Sequence, residues 1–368
     1  MLLKGWTLWG ATAGTKAQWT HGAWIVAGGV IRHARPAEAE APADLSGYFT
    51  PGFVDVHCHV GIGPHGPVAK REREDQIRAD LATGVLTVRD CGSPVDNSEL
   101  VGRADLPTLI RCGQHIARTK RYLRGLPREV EPGDLPTAMA QEARRGGGWV
   151  KIVGDWIDRA GGADADLDPL WPRQALIDGV AAAHEAGARV AVHCFSHRAV
   201  DDLLEAGVDD IEHGTGMDAD QMAEAAARGI MVTPTLLQTE LFGSFADQAG
   251  TKFPVYGATM RAMWMRRREH AQALFDSGVP ILPGTDSGGY QEHGVLGDEL
   301  RAWAAIGVAT ERILDIATWQ ARLTMGQDAL ADGAVADIVH FEEDPRGDER
   351  LWGVPTTVIR GGQVVSVK

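Results

Sequence analysis

The stretch Pro51-Gly-Phe-Val-Asp-Val-His57-Cys-His59 decides how this chain is read. Side chains alternate faces along an extended strand, so His57 and His59 project to one side and Cys58 to the other. Two neutral imidazoles on one face can reach a single borderline cation such as zinc. An H-x-H pair alone is weak, because two unrelated polar residues beside a loop would read the same way. The order of the downstream strand ends supplies the rest. Short apolar runs with the look of buried strands end at Lys151, at His193 in Val190-Ala-Val-His, at His213 in Asp210-Ile-Glu-His, and at Asp286 in Ile281-Leu-Pro-Gly-Thr-Asp. Six ligand-type side chains at successive strand ends describe a metal site at one end of a parallel barrel.

The surrounding pattern predicts that barrel. Strand-like segments at 52–57, 85–90, 106–112, 148–153, 188–193, 208–213, 230–234 and 279–286 alternate with helical segments at 72–83, 137–145, 172–185, 199–206, 218–228, 258–276 and 295–306. Gly84, Gly207 and Gly229 come directly after three of those helices, and Gly187 one residue beyond a fourth, as helix-ending glycines do. Such alternation indicates βα units, and eight of them favour an α/β fold closed as a (β/α)8 TIM barrel. An open doubly wound sheet is the competing topology. It calls for a Gly-rich phosphate loop after the first strand, where this chain has His57-Cys-His59. Residues 1–50 have a different texture, with short apolar runs broken by turns such as Gly28-Gly29. The segments 336–341, 356–359 and 364–365 repeat it. One small β-sandwich domain from residues 1–50 plus 335–368 is expected, with the barrel at 51–334.

The formal net charge is −14, which disfavours nucleic-acid or anionic-membrane partners, since both select a basic face. No segment approaches 18 uninterrupted apolar residues, and the first ten residues lack the features of a secretory signal. Cys58, Cys91, Cys112 and Cys194 lie in or beside apolar runs and read as reduced thiols of a cytoplasmic protein. Cys58 and Cys194 adjoin proposed ligands, but strand alternation turns Cys58 away from any metal held by His57 and His59.

Taken singly, each candidate has a bland reading. Asp286 could ligate a metal and take a proton from bound water, or simply cap a turn before Ser-Gly. A lone His at a strand end is more often a hydrogen-bonded interior residue. Lys151 could snorkel at a strand end. Carbamylated by CO2 it would become a carboxylate able to bridge two cations.

With the supporting motifs Thr87-Val-Arg-Asp90, Val150-Lys-Ile152, Val192-His193, Ile211-Glu-His-Gly214 and Gly284-Thr-Asp-Ser287, this order resembles the amidohydrolase superfamily. The resemblance is to its binuclear, carbamyl-lysine members, in the imidazolonepropionase-like and metal-dependent dipeptidase (prolidase)-like branch. Ala336-Asp-Ile-Val339 and Gly361-Gly362 look like that superfamily's closing β-domain. The resemblance implies two divalent metal ions, zinc by default. His57, His59 and Asp286 would hold the more buried ion, His193 and His213 the other, and carbamylated Lys151 would bridge them. It also implies a metal-bridging hydroxide, with Asp286 as general base and then acid, and a homo-oligomer. Two departures bear on substrate. Many dipeptidase-like relatives carry a His where this chain has Phe195, and residues 235–240 offer no tyrosine to polarise a carbonyl.

The expected activity is therefore metal-dependent hydrolysis of an amide or cyclic-amide C–N bond in a small molecule such as a dipeptide, N-acyl amino acid or lactam. A mononuclear deaminase of a heterocycle, a lactonase or ester hydrolase on the same site, and a non-catalytic barrel are the alternatives. Loop residues expected to touch substrate are Tyr122 and Arg121, from the basic run 118–124, and His293, soon after Asp286. His65 and His115 are further candidates, and a merely solvated loop is the competing reading of 118–124.

Overall fold

Phe53–Cys58, Val85–Asp90 and Trp149–Val153 are buried at every position, as parallel strands covered on both faces must be. They belong to a ring of eight segments. Phe53–Cys58 pairs in parallel with Val85–Asp90, which pairs with Thr108–Arg111. Trp149–Val153, Arg189–Cys194, Asp210–His213 and Met231–Thr233 continue in parallel register. The third and fourth segments meet where the Gly147 amide donates to the Arg111 carbonyl at 2.6 Å and Ile116 pairs with Ile152. This computed structural model describes residues 1–367; Lys368, the last residue of the expected terminal domain, lies outside the described residues.

The eighth segment completes the ring without forming a regular strand. Leu282 donates to Val232 at 2.9 Å on one side, and Val56 donates to Pro283 at 2.8 Å on the other. Isolated parallel bridges join Val232 to Ile281 and Cys58 to Ser287. Pro280 and Pro283 have no N–H to give, so a continuous ladder cannot form there.

Helices wrap the ring. Ala219–Arg228 opens on a capping box between Asp218 and Gln221 and closes on Gly229 in the left-handed conformation (φ 69°), which a side chain would resist. The long helix runs Pro254–Asp276, four residues earlier than its periodicity suggests, because Pro254 occupies a first-turn position where its missing N–H is harmless. Two short helices, Leu236–Glu240 and Phe242–Ala249, precede it over the barrel mouth. No helix comes after the second strand beyond the turn Ser98–Leu100. Among the described residues, no helix is long and apolar enough to cross a membrane.

Both chain ends enter one seven-stranded mixed sheet. Its order is Gln363–Val367, Thr357–Arg360, Ile338–Phe341, Leu45–Pro51, Leu2–Trp9, Gln18–Ala27 and Val30–His33. At about 4.8 Å between strands, a flat sheet would hold its two edges more than 20 Å apart. Yet Ala336 donates to the Gly29 carbonyl at 2.9 Å, and Leu3, Trp24, Ile31, Ile338 and Ile359 share one apolar core. The sheet therefore curls back on itself, as a small sandwich does.

Candidate metal centre

The ring brings five of the six strand-end groups into one buried cluster around Asp286. Asp286 Oδ1 lies 3.1 Å from His57 Nε2 and 3.4 Å from His59 Nε2. Two ligands each about 2.1 Å from one cation, at tetrahedral or octahedral angles, stand apart by about this much. Beside them, His213 Nε2 sits 3.0 Å from His193 Nδ1, and the His57 and His213 rings are 5.0 Å apart between centroids. The partner on the far side of the His59 ring sets its tautomer: Nδ1 donates to the Gly92 carbonyl at 3.1 Å, which leaves the Nε2 lone pair facing the cluster. His213 Nδ1 bonds the Thr235 hydroxyl at 2.6 Å, which orients that ring. Burial, then the Lys151 charge, drives the His57 imidazole down to about 3, so it is neutral and able to ligate at physiological pH.

Lys151 is the sixth group and is fully enclosed. Its amine contacts the Glu212 carboxylate, which also lies 3.7 Å from His57 Nε2 and 3.0 Å from the Cys91 thiol. Beneath them Arg89 pairs with Asp210 and lies 3.4 Å from Glu212. Burial pulls the Lys151 amine below its ordinary value. The pattern Ile211-Glu-His-Gly214 contains Glu212, but an acid pointing inward below the ligand tier is invisible to a search for strand-end residues.

Among the described residues, three of the four non-glycine positions with positive φ gather at this site. His213 (φ 67°), Thr235 (φ 45°) and Asp286 (φ 57°) all hold left-handed conformations without being glycine. They stand at the ends of the sixth, seventh and eighth ring segments. Such positions cost about 1–3 kcal/mol each and concentrate at functional sites.

His59, His193 and Asp286 of the cluster line a cavity of about 580 Å³, within the range that holds a small organic ligand. The other loop residues fall unevenly. Tyr122 lines it, its ring 4.5 Å from Trp156 and 5.9 Å from His193. His65 and His115 line it too. Arg121 does not. Its guanidinium turns to Asp158 at 3.3 Å, and Arg124, three residues on, reaches the cavity instead. His293 is also off the wall, because Asp80 on the helix Lys70–Ala82 takes its Nδ1 at 2.8 Å and buries the ring. Phe195 packs on both His193 and His213, at 4.3 and 4.7 Å between ring centroids. Tyr256, Phe245 and Phe253 join the wall from the helices after the seventh strand. No local sequence signal marks those three, since only the docking of the helices aims them.

The donor set fits a divalent metal centre. Three neutral or anionic donors, His57, His59 and Asp286, converge, and the buried atoms His57 Nδ1 and His193 Nε2 have no hydrogen-bond partner among the described residues.

Known proteins agree with this architecture. A family model described as Amidohydrolase family matches residues 156–365, which include His193, His213 and Asp286. Uncharacterized proteins of Mycobacterium tuberculosis (strain ATCC 25618 / H37Rv) and Mycobacterium bovis (strain ATCC BAA-935 / AF2122/97) are each 43% identical over 344 residues, covering 92% of this chain and 90% of theirs. Among solved structures, an Xaa-Pro dipeptidase with bound methionine superposes with a TM-score of 0.78 at 19% identity, over 99% of this chain and 98% of that one. A. niger ochratoxinase gives 0.79 at 16% identity, over 100% and 95%. A putative prolidase from Bifidobacterium longum gives 0.77 at 22%, over 100% and 95%. The expected barrel with a terminal β-domain is the fold these structures share with it, and the chain belongs to the amidohydrolase family of hydrolases.

Proposed function

We propose that this protein hydrolyses an amide or cyclic-amide C–N bond of a small molecule, using two divalent cations, zinc by default, and a carbamylated Lys151. The observation that carries the reading is the meeting of His57, His59 and Asp286 beside the His193–His213 pair, with His59, His193 and Asp286 opening on the cavity. His57, His59 and Asp286 would hold one ion, His193 and His213 the other, with Lys151 between them. Bound there, the ions would polarise the scissile carbonyl and make water nucleophilic at neutral pH. Asp286, the only carboxylate on the cavity wall among the described residues, would accept the attacking water's proton and hand it to the departing amine. Tyr122 would touch the substrate beside His193. Carbamylation would displace the Lys151–Glu212 contact, because two anions cannot keep it; Arg89 and Cys91 remain as partners for Glu212.

That same contact favours a second reading. If Lys151 stays an ammonium paired with Glu212, the centre holds one ion, as a mononuclear deaminase would. Metal counting per chain and intact-mass measurement separate the two. Two ions and a mass increase of one CO2, lost in acid, are expected. A Lys151→Ala protein with full metal content and full activity would sink the bridge. Four buried, unpaired cysteines support a cytoplasmic setting. The family likeness supports a homo-oligomer, which sedimentation would test.

A further inference from the structure

A buried acid holds the loop behind the metal centre. The helix Leu296–Ala305 turns Leu296, Leu300 and Trp303 inward, at the i, i+4, i+7 spacing of an apolar stripe. Glu299 lies on that stripe and is fully enclosed. An acid in such a place costs stability unless hydrogen bonds replace its water. Three donors replace it. The Leu236 amide and the Trp303 indole donate to Oε1 at 2.7 and 2.8 Å, and the Leu237 amide donates to Oε2 at 2.8 Å. The Trp303 bond stays within the helix. The other two cross to the short helix Leu236–Glu240, which follows Thr235 over the barrel mouth. A leucine at 299 would fill the stripe without that cost, so the two bonds to the loop are what an acid adds.

Thr235 is fully buried and holds a left-handed backbone (φ 45°) that a β-branched residue resists. Pro234, just before it, has no N–H to anchor the turn. The Leu236 amide belongs to the peptide plane that leaves Thr235, so the Glu299 fork fixes that plane and the turn with it. The Thr235 hydroxyl meets His213 Nδ1 at 2.6 Å, and on the other side of the ring His213 Nε2 lies 3.0 Å from His193 Nδ1. Hydrogen bonds hold over a narrow range of distance and angle, so a shift of about 1 Å in the turn would release the imidazole.

We infer that Glu299 is a positioning residue for the metal centre. Its carboxylate holds the Leu236 and Leu237 amides, those amides keep Thr235 in its left-handed turn, and the Thr235 hydroxyl aims the His213 imidazole at the ion. This rests on the metal-centre reading.

The test uses the full-length, zinc-loaded protein. Zinc affinity is read by competition with a chromogenic chelator, and cobalt substitution gives a visible spectrum that reports the geometry of the ligands. Glu299→Gln and the apolar Glu299→Met are carried in parallel, so that a folding failure in one leaves the other. Each should weaken zinc binding about tenfold and alter the cobalt spectrum, as loss of support behind a histidine ligand does. In a Thr235→Val background the same change should add less than about twofold, because both act through one hydroxyl. Trp303→Phe removes one bond to the carboxylate and leaves both loop amides held, so its zinc affinity should stay within about twofold of wild type. Wild-type affinity and spectrum in the Glu299 variants would overturn the inference. So would a loss that adds in full to that of Thr235→Val, or an equal loss in Trp303→Phe, because either would mean general loosening rather than positioning. Wild-type protein that takes up no zinc would overturn the metal-centre reading itself, and the inference with it.

Discussion

Two buried charged clusters sit at opposite ends of the barrel, and they are built differently. At the mouth, Asp286, His57, His59, His193 and His213 crowd together with polar atoms left over. At the base, Asp337 is saturated. It receives Arg322 at 3.0 Å, Arg360 at 2.8 Å and the Gly361 amide at 2.8 Å. Arg360 also donates to the Leu106 carbonyl and to Thr108, at the start of the third strand. The Asp337 carbonyl takes the Gly52 amide at the start of the first. The base cluster thus rivets the terminal sheet to the barrel and asks for nothing more. The mouth cluster keeps buried atoms such as His57 Nδ1 and His193 Nε2 without a hydrogen-bond partner among the described residues. Barrels commonly divide their labour this way, chemistry at the C-terminal face and stability at the other.

The sharpest break in the comparison would come at the mouth. We expect Asp286→Asn or His57→Ala to cost at least about a thousandfold in kcat/KM and to release metal, with the melting temperature of metal-free protein nearly unchanged. Metal analysis and scanning calorimetry on the same samples check both halves. At the base the pattern should invert. Arg322→Ala strands the buried Asp337 charge and should cost about 3 kcal/mol of stability, while metal content stays at the wild-type level. A denaturant titration that shows no loss would mean that Arg360 alone suffices.

A gentler probe is Thr235→Val, which removes the hydroxyl behind His213 but keeps the shape. Metal affinity should fall about tenfold, read by competition with a chromogenic chelator. The smallest effect concerns pH. Burial alone would push the Asp337 carboxyl up, but Arg322 and Arg360 hold it below the usual carboxylate range. Its contribution is then fully present above the ordinary value of about 3.9 and is lost as pH falls through the lower, folded value. Unfolding measured from pH 5 to pH 2 should show a steeper stability loss in the wild type than in Asp337→Asn.

Legibility in the chain divides along the same line. The six strand-end groups were legible because a parallel barrel converts chain order into a ring, and alternation says which side chains face its axis. Five of them meet as that logic requires, and Lys151 lies beside them against Glu212. The loop residues were not legible in this way. Arg121 and His293 sit within a few residues of cavity-lining positions, yet each was captured by an acid on a neighbouring element, Asp158 and Asp80. Tyr256 arrives from a helix whose docking no local pattern encodes. The eighth strand was recognised by its apolar run, but its prolines made it a seam of isolated bridges.

The left-handed backbones at His213, Thr235 and Asp286 carry a practical consequence for anyone who engineers this enzyme. Glycine is the relaxed occupant of all three positions, so a library screened for heat resistance alone would enrich glycine there and discard the chemistry with the strain. Selection on surviving activity after heating, rather than on surviving fold, is the screen this barrel calls for.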